Sequence, residues 1–292
     1  MRSRSHLLQA IGLLHAQADN SAMTDRDYSL GTHDAEIARL GLQHRIWRPR
    51  TLAAWRAAGI TVGQTVIDIG AGPGYAALDL AEIVGAQGQV VAVERSRRFL
   101  DALTMAAQAR GLTNVHCVEQ DVTELTLANV AADAAWCRWV LSFVSQPESV
   151  VRRLRSVLKT GAPVVFMEYA HYGSWRFAPA SAAHDDFVEA VMQHWRADGG
   201  EPDVALELPT WLERNGFEIV RMQPHVEAVR PGDYFWEWPR AFIETGAANM
   251  VARGRLAPES AGKLADEMAA AANHRGTYML TPLVLEVVAR AR

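Results

Sequence analysis

The run Val66-Ile67-Asp68-Ile69-Gly70-Ala71-Gly72-Pro73-Gly74 joins a strand too apolar to face water to a turn that opens a helix. Few folds accommodate that order of events. A strand buried on both faces belongs in a parallel sheet covered by helices, and glycines at alternate positions strip the bend of side chains so that backbone N–H groups can approach a ligand. The ligand such a turn serves is a nucleoside. A dinucleotide site has the spacing G-x-G-x-x-G, whereas here the third glycine comes one residue early and Tyr75 stands where that pattern wants Gly or Ala.

Strand and helix signals alternate beyond the turn. Strands are predicted over 65–69, 89–94, 115–118, 134–139 and 162–168, with helices over 75–84, 96–110 and 148–158, and Gly85, Gly88 and Gly111 act as breakers. The alternation predicts an α/β fold with a doubly wound parallel sheet. Ahead of it, Asp34 is expected to cap a helix carrying Ile37, Leu40, His44 and Trp47 on one face, and Pro49 to begin a second helix that Gly59 ends. Past 168 a helix over 211–215, a strand over 217–222, helices over 238–251 and 258–272, and a terminal apolar strand over 283–289 are set apart by long insertions.

A chain of 292 residues, nearly half of them hydrophobic, suits one large domain better than two independent ones. The expected division is an extension and helical cover over 1–48 and a main domain over 49–292 with insertions at about 175–208 and 231–277. Both insertions follow strands at the carboxyl end of the sheet, where open α/β folds bind ligands, so they are expected as lids and substrate walls. Residues 1–18 mimic a secretory leader with Arg2, Arg4 and Ala16-Gln17-Ala18, but Gln9 and His15 interrupt the apolar stretch. We read an extension, with Met1 or Met23 as the start and a cytoplasmic location. No run reaches the length of a membrane-spanning helix, so no membrane insertion is expected. The formal net charge of −4 and the scatter of basic residues, densest at Arg95, Arg97 and Arg98, argue against a nucleic-acid partner. Cys117 and Cys137 lie in apolar runs and are expected as buried thiols, neither bridged nor metal-bound. His184-Asp185-Asp186 with Glu189 and His194 reads as a solvated helix face without metal-ligand spacing.

Acidic residues stand where strands end. Asp68 precedes the glycine turn by two residues, where a carboxylate can meet an α-ammonium group or bond the turn's own amides; the roles are compatible. Glu94 closes the second strand, where a carboxylate accepts both hydroxyls of a ribose, its plainer role being to cap the helix after Ser96. Asp121 follows the third strand. There it is either a solvated loop acid or the acceptor for the exocyclic amine of adenine, with Val122 offering a backbone N–H to the ring.

The compressed motif Asp68-x-Gly70-x-Gly72-x-Gly74, with Glu94 after strand two and Asp121 after strand three, resembles the class I S-adenosylmethionine-dependent methyltransferases over roughly 50–161. Within that class the chain is similar to the group that includes ubiquinone/menaquinone-biosynthesis methyltransferases and natural-product methyltransferases of secondary metabolism. The resemblance implies a Rossmann-like seven-stranded sheet in the order 3-2-1-4-5-7-6 with strand seven antiparallel, for which 283–289 is the candidate. It implies S-adenosyl-L-methionine as cofactor, contacted by Gly70, Gly72, Gly74, Glu94, Asp121 and Val122 and, after strand four, by Arg138 and Trp139. By the same likeness Tyr28, Gln43 and His44 belong to a helical cover closing over the methionine end of the cofactor. Taken alone, His44 is equally a packing residue, and Arg138 pairs either with the cofactor carboxylate or in a structural salt bridge.

Methyl transfer is an in-line displacement that gains most from holding the nucleophile close to the methyl group and on axis. A hydroxyl or activated-carbon acceptor also needs a base. Glu168 and His171, at and just beyond the end of strand five, are the candidate catalytic residues, and His184, His194 and His225 are weaker ones. Tyr169, Tyr172, Trp175, Tyr234, Phe235, Trp236 and Trp238 gather around the insertions, as walls for a planar or lipophilic acceptor or as core. Phe242 and Met250 offer a homodimer surface. The expected function is methyl transfer to O, N or C of a small organic acceptor. The alternatives are a nicotinamide-dependent oxidoreductase, which Tyr75 and the early third glycine oppose, and an S-adenosylmethionine-binding protein that does not methylate. Arg138-Trp139-Val140-Leu141 stands where an Asn-Pro-Pro-aromatic run would mark a nucleic-acid or protein methyltransferase.

Overall fold

Val66, Ile67 and Ile69 are almost completely buried, as a strand covered on both faces must be. In the computed structural model, which describes residues 33–127 and 130–292, this strand is the middle of a larger sheet. The strands along the chain are β1 (Thr65–Ile69), β2 (Gln89–Glu94), β3 (Val115–Glu119), β4 (Ala134–Arg138), β5 (Pro163–His171), β6 (Arg176–Ala178), β7 (Phe217–His225), β8 (Ala228–Val229), β9 (Tyr278–Leu280) and β10 (Leu283–Ala291). The described helices are α1 (Asp34–Ala58), α2 (Tyr75–Val84), α3 (Arg97–Ala109), α4 (Pro147–Val157), α5 (Ala182–Ala197), α6 (Leu208–Arg214), α7 (Glu237–Ala252) and α8 (Pro258–Ala271).

Seven strands form the main sheet in the order β3-β2-β1-β4-β5-β10-β7. The pairs from β3 to β5 are parallel, and β10 runs antiparallel to β7. Gly161 N–H donates to Ala291 O at 2.7 Å and Ala291 N–H to Ala162 O at 3.0 Å, so the end of β10 meets the start of β5 and the last strand is reversed against both neighbours. Counted within this sheet alone, the order is the expected 3-2-1-4-5-7-6. Register does the work of assembling a site. Ile69 pairs with Val93 on one side and Cys137 on the other, so Asp68, Glu94 and Arg138 reach the same end of the sheet.

Described residues up to Ala170, with Gly199–His225 and Val284–Arg292, form one compact unit. His171–Asp198 and Val226–Leu283 belong to a second. In the second, α5, α7 and α8 accompany a small sheet ordered β6-β9-β8. Its aromatic residues pack on one another: Trp175 lies 5.9 Å from Phe187 and 6.0 Å from Phe242, and Tyr172 lies 4.8 Å from Trp195. Trp175, Tyr172, Trp236 and Trp238 are therefore core here, and only Tyr234 of the expected wall is strongly exposed. Phe242 and Met250 are also buried, which removes them as a dimer surface. Asp185, Asp186 and Glu189 face solvent on α5 while His184 and His194 are buried, so the expected solvated face holds only its acids.

Other expectations are corrected by packing. Pro49 does not begin a second helix; α1 runs unbroken through it to Gly59, whose φ of 86° ends it, and the expected division at 48 and 49 falls inside this helix. An interior proline costs about 3 kcal/mol, which burial of Trp47, Trp55 and their neighbours offsets, because a fully buried large apolar side chain contributes about 1.5–3 kcal/mol. His33, not Asp34, is the N-cap, accepting the Glu36 N–H through Nδ1 at 3.2 Å. Strands β5 and β7 each extend three residues past their expected ends of 168 and 222. Cys137 is buried, but Cys117 is exposed, because β3 is an edge strand.

Candidate functional site

The glycine turn has three separable parts. Gly70, Gly72 and Gly74 all adopt positive φ, at 63°, 55° and 84°, a conformation that side chains other than glycine rarely take. A Cβ on Gly70 would sit 2.4 Å from Val140 Cγ2, and one on Gly74 would sit 2.2 Å from Leu103 Cδ1, so these two also permit close packing. Gly72 faces open space, with nothing within 4 Å of such a Cβ. The open position of the turn is thus Gly72. Tyr75, the residue after Gly74, donates its hydroxyl to Ile37 O at 3.0 Å and lies against Gly41, which ties α2 to α1.

Glu94 braces the turn from β2. Its Oε2 accepts the Gly72 N–H and its Oε1 the Ser96 N–H, both at 2.9 Å, so the capping role and contact with the glycine turn are combined in one carboxylate. Burial raises its pKa, while the backbone donors at Ser96 and Gly72 pull the other way. Each oxygen keeps a second lone pair for another donor. Asp121 Oδ1 accepts both the N–H and the hydroxyl of Thr123, at 2.8 and 2.6 Å, which makes it the cap of the short turn that buries Val122.

Asp68 and Arg138 are the unusual pair. Asp68 is 2 % exposed, and its Oδ2 is buried without a hydrogen-bond partner. Burial pushes its pKa up to about 7, against the attraction of Arg138. Arg138 lies over the rings of Trp136 and Trp139, at 5.6 and 4.9 Å, and donates from Nη1 to Thr51 Oγ1 at 2.9 Å. Burial lowers its pKa to about 10, so it remains a cation at neutral pH. Among the described residues it forms no ion pair, so the structural salt bridge is not the role this geometry supports.

His44 links this cation to α2. Arg138 Nη2 lies 3.3 Å from His44 Nδ1, and because a guanidinium only donates, Nδ1 must accept and Nε2 must carry the proton. That proton goes to Asp79 Oδ2 at 3.1 Å, which also takes Arg48 Nε at 2.6 Å. Burial lowers the His44 pKa, which keeps the ring neutral as this arrangement requires. For Asp79 burial opposes ionisation, but the bonds from His44 and Arg48 outweigh it and hold the carboxyl below its usual range. Asp79, Arg48 and Thr51 were not singled out from sequence, although an acid in the middle of the largely apolar helix YAALDLAEIV was the signal available. Gln43 Oε1 accepts from Arg39 at 3.1 Å, and Tyr28 lies outside the described residues.

Glu168 does not sit as a base should. It is fully buried, and its Oε1 accepts the N–H groups of Val140 and Leu141 at 2.8 and 3.1 Å while Oε2 accepts the Ser142 hydroxyl at 3.3 Å. The carboxylate therefore clamps the turn after β4. Within that turn Trp139 has φ 51°, an outlier for a non-glycine residue, and stacks on Tyr169 at 5.7 Å. Val140 in turn fills the space above Gly70. His171, at the end of β5, is exposed, and its carbonyl accepts from Ser174 Oγ at 2.7 Å.

An unpaired cation, an orphaned carboxylate oxygen and an open glycine together fit a nucleoside that carries a zwitterionic amino acid, with α-carboxylate toward Arg138 and α-ammonium toward Asp68. A doubly wound sheet with that site is a cofactor-binding domain for such a nucleoside. Comparison with known proteins gives the family. A model of the methyltransferase domain matches residues 66–161. The chain is 32 % identical over 190 residues to the 2-phytyl-1,4-naphtoquinone methyltransferase of Synechococcus elongatus, covering 59 % of this chain and 79 % of that one. It is 31 % identical over 164 residues to the tRNA 5-carboxymethoxyuridine methyltransferase of Escherichia coli O157:H7, covering 53 % of this chain and 60 % of that protein's length. A candidate methyltransferase structure from Bacillus halodurans shares the fold at a TM-score of 0.54 and 16 % identity, covering 82 % of this chain and 97 % of its own. The chain belongs to the class I S-adenosylmethionine-dependent methyltransferase family. The cofactor of that family is S-adenosylmethionine.

Proposed function

We propose that this protein transfers the methyl group of S-adenosylmethionine to oxygen, nitrogen or carbon of a small aromatic or lipophilic molecule. The observation that carries the donor half is the orphaned Asp68 Oδ2 beside the unpaired Arg138. Gly72 and the braced Glu94 hold the nucleoside end, Asp121 and Val122 the base, and Arg138, steadied by His44, the carboxylate; Gly70 and Gly74 shape the turn, and Trp139 and Gln43 flank the site. When bound, the cofactor supplies an electrophilic methyl group on a sulfonium. The chain's part is to hold the acceptor in line and to keep water out, which accounts for most of the rate such a displacement gains. Glu168 serves this as a brace of the turn after β4 rather than as a base.

The acceptor half is supported by an acidic chain without a basic stripe and by relatives named for a naphthoquinone. No described helix is long and apolar enough to cross a membrane; we assign the work to the cytoplasm because the cofactor is made there. Titration calorimetry should show tight binding of S-adenosylmethionine and none of NAD(P)H. Labelled cofactor incubated with phenols, amines, thiols, quinols and bulk tRNA should mark a small molecule. Transfer to tRNA alone would overturn the acceptor class, and binding of NAD(P)H alone would overturn the function.

Asp68 makes the affinity depend on pH. Its pKa in the free protein is raised from 3.8 to about 7, so its folding contribution is complete below about pH 4, declines from there, and is lost as pH rises through 7. An α-ammonium partner reverses this, because it needs the ionised form. Affinity for S-adenosylmethionine is therefore expected to rise about tenfold per unit up to about pH 6, to level off as Asp68 ionises near 7, and to fall above about pH 8 where the ligand's own α-amino group loses its proton. Asp68→Asn should bind weakly with that rise abolished. An unchanged slope in the variant would remove Asp68 from the site.

A further inference from the structure

Another carboxylate is buried further along the same sheet. Glu286 lies in the middle of β10, in the run LVLEVVARA that is apolar apart from it and Arg290, and is 1 % exposed. An isolated buried carboxylate is costly, so its partners say what it is for. Its Oε2 lies 3.0 Å from His225 Nε2. Its Oε1 lies 3.1 Å from Arg221 Nη1, near enough for charge attraction but off the N–H axis, so that it makes no hydrogen bond.

This pairing sets the state of His225. A carboxylate accepts, so Nε2 carries the proton and Nδ1 is left with a lone pair. Nδ1 has no hydrogen-bond partner among the described residues, and it is not among the sealed polar atoms; the residue keeps 9 % exposure. His225 is the last residue of β7 and pairs with Val284 near the start of reversed β10. Strand directions therefore put it at the end of the sheet that also presents Asp68, Glu94 and Arg138. A line of rings connects the two places: His225 lies edge-on to Trp47 at 6.0 Å, and Trp47 lies edge-on to Trp139 at 5.2 Å. Other described histidines lack this arrangement. His44 spends its Nδ1 on Arg138, and both nitrogens of His184 are sealed without partners.

We propose that His225 takes the proton from the methyl acceptor and that Glu286 positions it. The proposal rests on the reading of the protein as a methyltransferase of small acceptors that carry O–H or N–H. In the step, the acceptor's X–H bond breaks and its proton moves to His225 Nδ1. The electron pair on X forms the bond to the methyl carbon, and the methyl–sulfur bond breaks with its pair left on sulfur. The imidazolium so formed lies against the Glu286 carboxylate, which stabilises it.

The test uses the full chain, S-adenosylmethionine and a panel of phenols and hydroquinones of graded acidity. His225→Asn should lower kcat by about 100-fold or more, since a positioned base typically contributes 10²- to 10⁴-fold. Cofactor affinity by calorimetry should stay close to wild type, while the thermal midpoint should fall because the buried Glu286 carboxylate loses its Nε2 donor. The deficit should shrink for the most acidic phenols, which ionise unaided; a merely structural role would lower all acceptors alike. Glu286→Gln, which keeps an acceptor oxygen but loses the charge, should show the same trend at about tenfold. Independently of turnover, nitrogen NMR of the His225 ring should place its proton on Nε2. Full activity of His225→Asn, a uniform loss across the panel, or a proton on Nδ1 would overturn the assignment. Wild-type protein that binds the cofactor but methylates nothing on the panel would instead defeat the small-molecule reading beneath it.

Discussion

Glu94→Ala should weaken S-adenosylmethionine binding about 100-fold and loosen the glycine turn even without ligand. Both effects follow from one carboxylate. In the free protein its oxygens hold the Gly72 and Ser96 amides, each at 2.9 Å, so the variant leaves two N–H groups without their acceptor. Hydrogen bonds to a charged group contribute about 1.5–3 kcal/mol each, and two further bonds to ribose hydroxyls at the lower figure amount to about 3 kcal/mol, or roughly 100-fold in affinity. Glu94→Gln separates the roles poorly but informatively. An amide can accept one N–H, and its own NH₂ would then face the other, so this variant should be nearly as weak as alanine. Calorimetry reads the affinity, and hydrogen exchange at Gly72 reads the turn. Retained affinity alongside faster exchange at Gly72 would confine Glu94 to bracing, and the ribose assignment would be lost.

The parts legible in the sequence were those with a local cause. Period and glycine spacing located β1, β2 and the turn between β1 and α2 to the residue, because an apolar strand and a positive-φ bend leave marks in a few adjacent positions. Asp68, Glu94 and Arg138 were placed by the same logic, since each ends or nearly ends a strand. Their state was not legible. Whether Arg138 finds a carboxylate depends on α1, which lies some ninety residues earlier in the chain and brings His44 and Thr51 instead. Pro49 misled for the complementary reason, because its local preference was outweighed by tryptophans packed on the same helix. Glu168 has the right address for a base but points back into the loop beside it. The general lesson concerns acids set inside largely apolar elements. Asp79 in α2 and Glu286 in β10 each break an apolar pattern, and each proves to hold a histidine.

Glu168→Ala should be the most destabilising substitution among the site residues. It orphans the Val140 and Leu141 amides and the Ser142 hydroxyl in a fully buried setting, where each unsatisfied group costs about 1–3 kcal/mol, so a loss of about 3 kcal/mol or more is expected. The damage should travel to the cofactor site. Val140 fills the space over Gly70 and Trp139 keeps its strained φ only while this turn is held, so relaxation there should lower cofactor affinity as well. Glu168→Gln should do almost nothing. Burial has already raised the pKa of this carboxyl to about 7, so the protein tolerates a neutral group at neutral pH. The glutamine oxygen can accept both amides while its NH₂ donates to the Ser142 hydroxyl oxygen. A base would show the opposite pattern: glutamine would abolish turnover and leave the fold and the cofactor affinity intact. Thermal midpoint, calorimetry and turnover of the two variants, measured together, therefore decide between a clamp and a catalyst, and the three hydrogen bonds favour the clamp.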